Sequence, residues 1–309
     1  MTNLINVAKW TITIFLLVYF NSSISKENDK IKFSFAPGEY VSFIQKLTII
    51  KEKDMGSNGM QRDESVSTTK ITIRKTQSGW NILAEPKKLS MKRNGKKINN
   101  PIVSLLSSAI ITYKLDSDGN IIDVDGYGQF IERFSKLVPP KIFEQLTPML
   151  NIEALKRKEF AEWNGRIGDY VGAVVQIGDS FLVDVPYQIP NGLTIHYNVK
   201  THITALVPCG DTECVRIEQS YDSQADNLAK MAGEVVSNVS EAVAPNRHQS
   251  SQERNTMIIK GNVTRVINPE TMLIFGEESY RMIYMEMNTP NLGIVPVRTT
   301  ETRKYEFQY

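Results

Sequence analysis

Apolar residues alternate with polar ones along most of this chain, and in only a few places does the spacing lengthen to the helical period. The change is sharpest between residues 110 and 138. Ile111, Tyr113 and Leu115 alternate with polar neighbours, Asp118-Gly119 supplies a turn that tolerates positive φ, and Ile122 and Val124 resume the alternation. Beyond Gly126 and Gly128, Phe130, Ile131, Phe134, Leu137 and Val138 share one helical face, and Pro139-Pro140 stops it. A strand pair thus hands the chain to a helix that must lie on the sheet.

The same alternation predicts strands over residues 31–35, 40–50, 65–75 and 80–84, with residues 51–64 as a polar loop and Asn94-Gly95 at a hairpin tip. A helical stretch follows over residues 141–163, divided near Pro148 and Asn151 and ended by Asn164-Gly165. Strands return at 170–177, 180–187, 193–207 and 215–221. Ala225, Leu228, Ala229, Ala232, Val235, Val236 and Val239 predict another helix over 222–243, whose small side chains let it lie close to a sheet. A polar linker over 244–255 leads to closing strands at 257–267, 271–275, 280–287 and 295–309. Long meanders broken by helices predict an α+β, mainly β fold: a strongly curved antiparallel sheet, or incomplete barrel, with helices packed on one face. The β-rich region spans 26–309 as two similar halves, 26–165 and 166–309.

Length and charge narrow the picture. At 309 residues, 41% hydrophobic and 23% charged, the chain can bury a substantial core. A formal charge of +2 gives no bulk attraction for nucleic acid, which is not expected as a partner. Residues 1–25 read as a signal peptide: Lys9 precedes an apolar run from Trp10 to Phe20, with small residues at Ser23 and Ser25 before the cleavage point. An uncleaved anchor is the competing reading of that run. The mature protein is expected in a periplasm or outside the cell. Cys209 and Cys214 face each other across a hairpin end, and an oxidising compartment would close them into a disulfide. A metal half-site would need two further ligands, and a redox pair would want shorter spacing.

Several turns carry a resemblance. Phe35-Ala-Pro-Gly-Glu-Tyr40 before a long strand, Leu115-Asp-Ser-Asp-Gly-Asn120 ending in Val124-Asp-Gly126, Ile177-Gly-Asp-Ser-Phe181, and the stretch from Asn262 to Met272 resemble an uncharacterised family of exported bacterial β-rich proteins. That family is similar in build to periplasmic lipoprotein carriers, which implies an incomplete barrel wrapped around helices and an apolar cavity. The chain departs from many such proteins in lacking a lipid-anchoring cysteine after its apolar run.

Candidate chemistry is sparse. Asp116, Asp118 and Asn120 fall at alternate positions as in a calcium loop, but Ile121 and Tyr127 stand where that loop needs Gly and Glu, so a hairpin turn is the better reading. His196 and His202 sit about 20 Å apart along a regular strand, too far to share a metal, and His248 lies in the linker. No nucleophile elbow, zinc-protease helix or phosphate loop is present, so neither catalysis, a metal nor a cofactor is expected. Glu159 and Glu162 beside Trp163 read as solvated flank and core. The basic tip of Lys87, Lys88, Lys92, Arg93, Lys96 and Lys97 either contacts an anionic surface or protects a sheet edge.

Methionine adapts to irregular partners, and Met231, Met257, Met272 and Met282 cluster in the second half beside Tyr284. Two function classes remain. One is an exported, non-enzymatic binder or carrier of a lipid or other hydrophobic ligand, held by Phe130, Phe134, Met231, Val235, Met282 and Tyr284 between sheet and helices. The other is a structural or protein-interaction module of the cell envelope with a filled core, whose partner is an envelope protein.

Overall fold

The computed structural model describes residues 30–54, 56, 59–99, 105, 107–188, 194–223, 257–289 and 293–309. Fourteen strands and three α-helices are described in chain order. The strands are β1 (Ile31–Lys32), β2 (Tyr40–Asp54), β3 (Met60–Thr76), β4 (Gly79–Arg93), β5 (Lys96–Ile98), β6 (Ile111–Leu115) and β7 (Ile121–Asp125), then β8 (Val174–Val175), β9 (Ser180–Gln188), β10 (Thr194–Cys209), β11 (Thr212–Ser223), β12 (Met257–Ile267), β13 (Ile274–Thr289) and β14 (Gly293–Gln308). Between β7 and β8 lie α1 (Tyr127–Leu137), α2 (Pro140–Leu146) and α3 (Ile152–Arg166).

The fold is mainly β. A 12-stranded sheet runs β7-β6-β4-β3-β2-β14-β13-β12-β11-β10-β9, with β5 hydrogen-bonded to β4 off that path, and it does not close into a barrel. Every neighbouring pair in it is antiparallel. The chain lays down one meander outward from β2 and a second one back inward to β14. These meet at the centre, where Leu47 pairs with Tyr305 and Lys51 with Glu301.

The strands are longer than the apolar alternation alone predicts. Residues 51–64 are mostly ladder rather than loop: β2 runs to Asp54 and β3 starts at Met60, with Lys51 opposite Asp63. Cross-strand charges hold this polar stretch, as in Arg62–Glu52 at 2.7 Å and Arg93–Asp63 at 2.8 Å. Conversely, the segment expected as a strand over 170–177 is a 3-10 turn at Gly168–Tyr170 followed by the two-residue β8. Asn94 (φ 47) and Gly95 (φ 79) make the predicted tight tip between β4 and β5. The helix expected at 222–243, the leader and the linker lie outside the described residues, except that β11 continues to Ser223.

The core concentrates at one end of the strands. Phe33, Phe35, Trp80, Leu115, Val124, Ile203, Val215, Ile217, Ile267 and Met272 are buried there. The segment after β1 acts as a strap: Phe33 and Ser34 donate backbone hydrogen bonds to Ala173 and Pro269. Phe35 then stacks edge-on against both Trp80 and Trp163. A smaller cluster of Phe130, Phe134, Val138 and Leu150 joins α1 to the residues after α2.

Cys209 and Cys214 form a disulfide, with Cα atoms 5.7 Å apart at the β10–β11 hairpin end. No helix among the described residues is long and apolar enough to cross a membrane. The disulfide is compatible with an exported protein.

Candidate functional site

Residue parity and strand register define the face of the sheet that matters. On the helix-covered face, Phe43, Gln45 and Leu47 of β2 stand opposite Ile71, Thr69 and Ser67 of β3 and beside Phe307 and Tyr305 of β14. A cavity of about 350 Å³ lies between this face and α3. Its floor is Phe43, Ile71, Ile73, Ile82 and Ala84, and its roof carries Glu159, Glu162, Trp163 and Arg166. The volume falls in the range of small-molecule pockets, and so does the character: mostly apolar walls with a few convergent polar groups.

α3 spans the cavity like a bar. Its 15 residues reach roughly 22 Å, enough to cross several strands. Asn151 starts it by accepting a hydrogen bond from the Ala154 backbone N–H at 2.9 Å. None of its residues is buried, although Leu155, Phe160 and Trp163 pack against the core at their margins. Polar ties at both ends add to this marginal apolar seam.

Near its first half, Lys156 reaches Asp123 at 2.8 Å, and Glu159 accepts hydrogen bonds from the Tyr113 and Tyr127 hydroxyls at 2.7 Å and 2.5 Å. Burial and the Glu159 charge push both phenols well above the usual tyrosine range. At its C-terminal end, Arg166 donates to Glu277 of β13 at 3.0 Å and lies over the Tyr305 ring at 4.6 Å. Arg265 of β12 donates to the same carboxylate at 2.8 Å and to the Gly165 carbonyl at 3.0 Å. Burial disfavours the Glu277 charge, yet the two guanidiniums outweigh it and hold the carboxyl below its ordinary range.

Of the residues named from the sequence as ligand-binding, the four that are described do not line this site. Phe130 and Phe134 are buried in the α1 cluster, their rings 5.8 Å apart. Met282 and Tyr284 point to the opposite face of β13, where they pair with Lys260 and Ile258 of β12. Their neighbours Ile283 and Met285 share the helix-side face with Ile259 and Met257. Met231 and Val235 lie outside the described residues. Of the methionines, Met272 lines the cavity.

Missed in the sequence were the floor from β2, β3 and β4 and the polar roof residues Glu159, Glu162 and Arg166. The alternation of 65–75 and the carboxylates beside Trp163 were the available signals, but only the tertiary register aims them at one another.

Two other candidates resolve locally. The Asp116 carboxylate accepts hydrogen bonds from the backbone N–H groups of Asp118 and Asn120 and from the Asn120 side chain, so it serves the hairpin turn. His196 contacts Asp184 at 3.0 Å, while His202 contacts the Ser180 hydroxyl at 2.8 Å. Among the described residues no group of three or more His, Cys, Asp or Glu side chains could hold a metal ion.

No family model matches the chain, and no curated protein matches it in sequence. Among solved structures, one of lipovitellin, described as showing lipid–protein interactions, aligns with 89% of this chain at 10% identity and a TM-score of 0.42. The chain covers only 26% of that protein. A structure of DynF from the dynemicin biosynthesis pathway of Micromonospora chersina aligns with 91% of this chain and 85% of its own, at 7% identity and a TM-score of 0.21. At these scores neither likeness assigns a fold or a ligand.

Proposed function

We propose that this protein is an exported, non-enzymatic binder of a hydrophobic ligand, held in the cavity beneath α3. The observation that carries the reading is the cavity itself: about 350 Å³, floored by aliphatic and aromatic side chains of the central strands and roofed by a helix with no buried residue. Burial of ligand surface there is worth about 25 cal/mol per Å² of apolar area. Ligand entry needs the bar to lift at one end, which breaks ion pairs and hydrogen bonds and, at the C-terminal end, the contact of Trp163 with Phe35. The disulfide supports an oxidising location.

Native mass spectrometry of the protein purified from an exporting host without detergent, followed by solvent extraction, tests the reading. A stoichiometric lipid-sized adduct that is lost on unfolding supports it. A bare mass that also takes up no added lipid contradicts it.

One observation favours the second reading, an interaction module of the cell envelope. β9 forms the end of the sheet with one edge unpaired by any described strand, and Phe181, Leu182, Val183 and Val185 along it are all exposed. Natural edge strands usually carry charges that discourage pairing, and this one has a single acidic residue, Asp184. A sheet edge of that kind can accept a strand from a protein partner. The cavity argues against the filled core that this reading expects. The basic tip at Lys92 to Lys97 remains a candidate contact for an anionic surface, although Lys92 and Arg93 already pair with Glu64 and Asp63.

A further inference from the structure

Along the helix-side face of β2 and β14 the chemistry changes in bands. Phe43, Leu47, Tyr305 and Phe307 line the cavity. One step further along the strands stand Ile49 and Arg303, and one beyond that Lys51 and Glu301. Arg281 of β13 is opposite Glu301 in the same row. Further still, Ile283, Met285, Ile259 and Met257 form a second apolar cluster. Arg303, Lys51 and Arg281 thus form a cationic band across the helix-side face, beginning one row beyond the cavity-lining Leu47 and Tyr305.

The charges in that band do not balance. Glu301 is contacted by Arg303 at 2.8 Å, Lys51 at 3.0 Å and Arg281 at 3.3 Å, so three cations share one carboxylate. Two further acids lie near the band, each also paired with a cation outside it: Asp63, opposite Lys51, with Arg93, and Glu162 with Lys158. Glu301 is 6% exposed, whereas Lys51, Arg281 and Arg303 remain 47%, 40% and 37% exposed and so stay accessible to a ligand. Clustered cations repel one another unless an anion joins them, and a guanidinium offers five donors in a fork that suits carboxylate or phosphate oxygens.

We propose that the ligand is a single-chain amphiphile with an anionic head, its head bound by Arg303, Arg281 and Lys51 and its chain lying in the cavity beneath α3. This rests on the reading of the cavity as a ligand site. From the Arg303 row to the Phe43 row the strands run about 20 Å, room for an extended chain to lie along β2 past Leu47 and Gln45. Tyr305, between the two zones, lines the cavity and neighbours Arg303 on the same face.

The test uses parinaric acid and its methyl ester, followed by energy transfer from Trp80 and Trp163 in the purified protein. The acid is expected to bind about tenfold tighter than the ester, the worth of one charge-assisted hydrogen bond. Arg303→Gln should narrow that preference severalfold through weaker acid binding, and ester binding that persists shows that the variant is folded; an undiminished preference overturns the head assignment. Glu301→Gln, which frees the cations from their internal anion, should tighten acid binding. Displacement by oleate or by lysophosphatidic acid then identifies the head as carboxylate or phosphate. Equal binding of acid and ester by the unaltered protein overturns the head assignment while the cavity reading stands. Failure of both probes to bind overturns the cavity reading itself.

Discussion

Arg166, on the last turn of α3, donates to Glu277 of β13 at 3.0 Å across 111 residues of sequence. Arg265 meets the same carboxylate from β12, so a single buried acid joins the helix to the second meander. Removing one partner of a buried charge cluster strands the others. Glu277→Gln is therefore expected to lower the unfolding free energy by about 3 kcal/mol, seen as a lower urea midpoint with unchanged slope. An unchanged midpoint would mean that the cluster does not hold α3.

The Glu301 cluster gives a pH signature. Burial raises the Glu301 pKa, but Lys51, Arg303 and Arg281 more than offset it and hold the carboxyl at about 2. A folded value below the unfolded one of roughly 4.3 means the stabilisation is fully present above that pH. It is lost as pH falls from there towards 2. Stability measured between pH 5 and pH 2 should fall by about 2 kcal/mol more in the unaltered protein than in Glu301→Gln, after allowance for solvent screening. Glu277, also depressed, adds acid sensitivity of the same sign in both proteins.

Gly119 illustrates a local constraint with a distant partner. Its φ is +92°, and a Cβ there would lie 2.4 Å from the Phe35 Cβ. Trp163 also donates to its carbonyl, at 3.2 Å. Gly119→Ala combines backbone strain with a clash against the strap, so a loss of at least about 2 kcal/mol is expected in thermal or chemical unfolding. The neighbouring Ser117→Ala, as a control at the same turn, should change stability by no more than about 0.5 kcal/mol.

Much of the fold was legible because period 2 and period 3.6 are written in single residues. Ile111, Tyr113 and Leu115 became β6, and Phe130 and Phe134 became the buried stripe of α1. Strand length was less legible, since ion pairs such as Arg62–Glu52 and Arg93–Asp63 hold a ladder that hydrophobic alternation does not mark. The candidate site was least legible. Met282 and Tyr284 drew notice by composition, yet the β12–β13 register turns them away from the helices and turns Ile283 and Met285 inward. A one-residue difference in parity decides the face, and parity relative to the core is fixed only when the strands pair. Glu159 and Arg166, seven residues apart on one helix, gain their roles from Tyr113 and Glu277 on widely separated strands.

The most direct test of the account is equilibrium binding of parinaric methyl ester by the unaltered protein and by Ala84→Phe. Ala84 lies on the cavity floor opposite Ile71, and a phenyl ring there takes up the space a ligand chain would use. The account predicts saturable binding by the unaltered protein and a loss of at least about tenfold in affinity in the variant, with stability within about 1.5 kcal/mol. Equal affinity in the two proteins would contradict it, because the ester would then be bound somewhere other than beneath α3.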